Sequence, residues 1–73
     1  MVQYGVALFH STAHVMRGEK VLNQAGIRIK MIPTPRQLSS DCGIALRFER
    51  GESERVAAIL AENQVPVKDI CPI

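Results

Sequence analysis

Tryptophan is absent from these 73 residues, and Tyr4, Phe9 and Phe48 are the only aromatic side chains. A base-stacking sheet, which needs several exposed rings, is therefore not expected, and single-stranded RNA is set aside as a ligand. Only two cysteines occur, Cys42 and Cys71, too few for the disulfide framework of a small secreted domain. No apolar run approaches the ~20 residues of a membrane span. The opening Met1-Val2-Gln3-Tyr4 also lacks the basic region and long apolar stretch of a secretion signal. The expected location is the cytoplasm, where both thiols stay free. A formal net charge of only +2 makes neither nucleic acid nor a membrane the default partner.

What is present suffices for one small core. Apolar residues are 47% of the chain and charged residues 22%, too oily and too weakly charged for disorder. A chain of this length buries only roughly 60% of its unfolded surface, so residues 1–73 are expected to form a single domain. With so few aromatics its stability should be marginal, and dimerisation is one remedy.

Gln3 to Phe9 alternates, and the reading that places Tyr4, Val6 and Leu8 on the core face makes it a half-buried strand. Ser11 or Thr12 can cap a helix carrying Val15, Val21, Leu22 and Ala25, with Gly26 as its left-handed end. Gly18 inside that helix costs about 1 kcal/mol relative to alanine, which close packing against the sheet would explain. Ile27, Ile29 and Met31 mark a second strand, stopped by Pro33, and Ile44, Leu46 and Phe48 a third. Between them, Pro33 to Gly43 reads as a loop, long for so small a domain and of the kind that is often functional. A second helix follows Gly51 and Ser53 with Val56, Ile59 and Leu60 on one side. Val67 to Cys71 makes a short last strand.

This order predicts an α+β, ferredoxin-like βαββαβ two-layer sandwich, with an antiparallel sheet of order 4-1-3-2 and both helices on one face. The topology gathers the end of the first strand, the start of the first helix, the long loop and the start of the fourth strand at one edge. Cys42 would then lie near His10, Ser11, Thr12 and His14. Cys71 would close the last strand at the opposite edge, roughly 17 to 20 Å away, beyond the ~7 Å reach of a disulfide. The helix-free face is expected to carry Gln3, Gly5, Ala7 and Phe9 with Arg28, Lys30, Ala45 and Arg47, a small flat centre with a basic margin. A homodimer could form there.

Cys42 is the residue with the surroundings of a reactive thiol. It ends a loop, precedes the sterically open Gly43, faces the positive end of the first helix and has Arg36 in the same loop. Helix N-termini and nearby cations both favour thiolate, the nucleophilic form. The plainer alternative is a small apolar residue starting a strand. His10 and His14 with Cys42 have a spacing that could hold zinc, but two histidines near a helix start are weak grounds and no metal is expected. Ser11 and Thr12 could hold an anion at the helix start, although capping already explains them. Glu49, Glu52 and Glu54 cluster around a turn as a solvated helix start rather than a hydrolase pair.

Ile32-Pro33-Thr34-Pro35-Arg36, followed by Ser39-Ser40-Asp41-Cys42-Gly43-Ile44-Ala45-Leu46-Arg47-Phe48, resembles the Se/S carrier protein-like family of small bacterial domains. Leu8-Phe9 and Ala25-Gly26-Ile27 fit the same pattern, so the resemblance covers nearly the whole chain. It implies a carrier that holds a persulfide or selenopersulfide on Cys42, takes it from a donor protein and gives it to an acceptor. Such exchange needs no cofactor, and the protein would be more a carrier than an enzyme. The competing reading is a regulatory module that binds a small ligand or a partner near the first helix, with Cys42 structural.

Overall fold

The computed structural model describes residues 2–38 and 43–73. The segment that carries Cys42 lies outside the described residues. In chain order the elements are β1 (Tyr4–Leu8), α1 (Thr12–Gln24), β2 (Ile29–Pro33), β3 (Ile44–Glu49), a single 3-10 turn at Arg50–Glu52, α2 (Ser53–Glu62) and β4 (Asp69–Pro72). The four strands form one antiparallel sheet in the order β2-β3-β1-β4. That is the 4-1-3-2 order expected from the sequence. Pro33 does not precede a break in pairing: it closes β2 opposite Ile44, an edge position where its missing N–H is tolerated.

Local chemistry sets the helix ends. Ser11 is extended (φ −153°, ψ 158°) and its Oγ accepts the His14 N–H at 3.3 Å, satisfying one orphan donor of the first turn. At the other end Gly26 takes φ 81°, and the Ile27 N–H returns to the Leu22 carbonyl at 3.0 Å. Glycine suits this position because a Cβ would be strained there. α2 ends in the same way through Gln64 at φ 56° and a Val65 N–H to Leu60 O bond of 2.9 Å.

The main core lies between the sheet and the helices. Val15 and Leu22 of α1 and Val56 and Leu60 of α2 pack in one cluster with Ala7, Phe9, Leu46 and Phe48. Both helices therefore cover the same face. This corrects the expected facing of β1: Gly5, Ala7 and Phe9 point towards the helices, in register with Phe48 and Leu46, and Val6 and Leu8 point away. Size complementarity is the reason. A Cβ on Gly5 would lie 3.0 Å from the Phe48 ring, and one on Gly18 would lie 3.0 Å from Phe9 Cζ. The glycine inside α1 is thus the space that the Phe9 ring occupies, and the two small residues of β1 make room for the layer above.

Polar ties complete the frame. Arg50 joins the two ends of the chain, its N–H on Gln3 O (2.8 Å), Nη1 on Gln3 Oε1 (2.9 Å) and Nη2 on Ile73 O (3.2 Å). Arg17 of α1 donates to Asn63 O at the end of α2, 2.9 Å. Among the described residues no helix is long and apolar enough to cross a membrane.

Candidate functional site

The loop between β2 and β3 is held at both stems. The Thr34 N–H donates to Gly43 O at 3.0 Å, which extends the β2–β3 ladder by one step. Pro35 to Leu38 then makes a turn closed by the Leu38 N–H on Pro35 O, 3.0 Å. Arg36 and Gln37 take the two central positions of that turn. Its product is the placement of Leu38, which packs on the helix-free side of the sheet against Val6, Leu8 and Ala45, together with Ile32. Val6 and Ala45 are fully buried there. A leucine in an otherwise polar loop thus anchors the segment that leads into residues 39–42, and it went unremarked in the sequence although it is the one large apolar side chain of that loop.

The expected corner can be traced through its described members. Leu8 is opposite Ala45 and Asp69, Pro33 opposite Ile44, and the Lys68 N–H donates to Leu8 O at 2.7 Å. The end of β1, Gly43, Thr34 and the start of β4 therefore share one end of the sheet, where Ser11 begins α1. Ser11 is spent on capping. Thr12 and His10 are exposed, Arg36 is exposed at the turn, and Gly43 is exposed, with no atom of the described residues beyond its chain neighbours within 4 Å of where a Cβ would stand. His14 is half-buried, and its Nδ1 is a buried atom with no hydrogen-bond partner among the described residues. Cys42 itself lies outside the described residues. Among those that are described, no group of three His, Cys, Asp or Glu side chains is arranged to hold a metal.

Cys71 is better defined, and its position differs from the expected one. It pairs with Val6 in mid-strand rather than closing a far edge, and it packs in the same helix-free cluster as Leu38. Its Sγ donates to Asp69 Oδ2 at 3.3 Å. Desolvation raises its pKa first, and the hydrogen bond to Asp69 and that carboxylate's negative charge push it further the same way. Such a thiol resists becoming a thiolate at neutral pH. Asp69 is the residue that sequence reasoning missed here; its signal is the two-residue spacing that puts both side chains on one face of β4.

The family model described as putative Se/S carrier protein-like matches residues 4–72. That span runs from the first residue of β1 to the last of β4 and includes the loop. No curated protein matches the sequence.

Proposed function

We propose that this chain, which belongs to the Se/S carrier protein-like family, carries a sulfur or selenium atom on Cys42 between a donor and an acceptor protein. The observation that carries the reading is the family match over nearly the whole chain. The raised pKa of Cys71, from desolvation first and then Asp69, speaks against that thiol as the nucleophile and so favours Cys42. Arg36 and the start of α1, where Ser11, Thr12, His10 and His14 lie, are assigned to receiving the partner or favouring the thiolate. Gly43 keeps the approach open. The arrangement is read as a ferredoxin-like sandwich working in the cytoplasm, where a reducing pool keeps the thiol free.

The chemistry is thiol exchange. The Cys42 thiolate attacks the outer sulfur of a donor persulfide, R–S–SH. The donor S–S bond breaks, R–S⁻ leaves with the electron pair, and Cys42–S–SH forms with its proton retained. An acceptor thiolate repeats the step on Cys42–S–SH and regenerates the Cys42 thiolate. With selenium the held species is Cys42–S–SeH. No net oxidation occurs in either step.

The rate of iodoacetamide labelling against pH tests the activated thiol. In Cys71→Ser, Cys42 should label with a midpoint below the ordinary thiol value of about 8.5. A midpoint at or above that value contradicts the reading.

A further inference from the structure

On the helix-free face, β3 and β2 place Arg47 directly opposite Lys30. Like charges facing each other across an antiparallel pair are destabilising, so this arrangement works against the fold. Among the described residues, neither cation nor the adjacent Arg28 has a carboxylate within ion-pair distance. The three border one cleft of about 220 Å³ with Tyr4 and Glu49. It holds three cations against one carboxylate and is smaller than the ~300 Å³ at which small-molecule pockets begin. A protruding acidic side chain fits that size and charge better than a cofactor does.

From this juxtaposition we propose that the Arg28–Lys30–Arg47 patch docks an acidic segment of a partner protein. Nucleic acid suits the patch less well. Of the two aromatic residues that line the cleft, Phe48 is buried, and Tyr4 has the Arg47 guanidinium 4.2 Å above its ring centroid, which removes that face as a stacking platform. Arg47 lies four residues after Gly43, which immediately precedes β3, about 13 Å at the rise of a strand. An extended acidic segment running along the sheet from this patch therefore reaches the loop stem. The identification of that partner as a sulfur donor or acceptor rests on the carrier reading, and the docking itself does not.

The test titrates the full-length, nitrogen-15-labelled chain with an octaglutamate peptide and, separately, with octauridylate. The peptide should shift the amides of residues 28–30 and 47–49, and its affinity should fall with added salt. Lys30→Glu should weaken binding about tenfold, in line with losing and reversing an exposed charge contact, while leaving the melting temperature unchanged or raising it, because the pair with Arg47 becomes attractive. Cys42→Ser should bind as the native chain does, so failure of sulfur loading leaves this result standing. Shifts centred elsewhere, no saturable peptide binding at low salt, or octauridylate binding as tightly as the peptide would each overturn the proposal.

Discussion

The two faces of this sheet are built from alternate residues of the same strands, and they are finished to different degrees. Towards the helices, Phe9, Leu46 and Phe48 interlock with Val15, Leu22, Val56 and Leu60, all at 0–1% exposure. On the other side a narrow strip of Val6, Leu8 and Ala45 is covered partly by Leu38 of the loop, and the rest of the face is the basic cleft beside Tyr4. One face supplies stability. The second carries Leu38, the Cys71 thiol hydrogen-bonded to Asp69 and the Arg28, Lys30 and Arg47 cations.

The comparison is broken most severely at Phe9. Phe9→Ala removes a fully buried ring and leaves a void between α1 and β1, for an expected loss of about 3 to 5 kcal/mol in urea unfolding. A loss under ~1 kcal/mol would show that the helix-side core does not dominate. Leu38→Ala should cost less, about 1 kcal/mol for a half-buried leucine, yet it should change the iodoacetamide rate of Cys42 severalfold, because the turn that leads into residues 39–42 loses its anchor. An unchanged rate would mean that Leu38 packing and the reactive segment are independent.

The smallest expected effect is at Asp69. In Asp69→Asn the thiol of Cys71 loses the adjacent negative charge, so its labelling midpoint should move to lower pH. The native pair also predicts the sign of a stability change. The Cys71 pKa is raised above the ordinary thiol value of about 8.5 in the folded chain, so its contribution is fully present below that ordinary value. It fades as pH rises through the folded value, because the unfolded chain releases the proton first. The alkaline fall in stability should be shallower in Asp69→Asn.

The helix ends and β3 were legible in the sequence because their signals are local: Ser11 as a cap, Gly26 as a left-handed end, and Ile44 to Glu49 alternating cleanly, whereas β2 begins at Ile29 rather than Ile27 and β4 at Asp69 rather than Val67. The facing of β1 was not legible. Gly5-Val6-Ala7-Leu8-Phe9 is apolar throughout, since this central strand is buried on both sides, and its alternation is of size rather than polarity, which does not reveal which set points where. Choosing the larger residues Tyr4, Val6 and Leu8 for the core overlooked that a helix layer needs small residues under it and that Phe9 fills the space left by Gly18. The site divided similarly. Topology alone brings Gly43 and the start of α1 to one end of the sheet, but the turn that seats Leu38 and the bond from Cys71 to Asp69 depend on tertiary placement.

Incubating the protein with a cysteine desulfurase and cysteine, followed by intact-mass measurement, tests the carrier role of Cys42 most directly. A gain equal to one sulfur atom is expected in the native chain and in Cys71→Ser, and is expected to vanish in Cys42→Ser. Sulfur loading that survives Cys42→Ser, or no loading of the native chain, would contradict it.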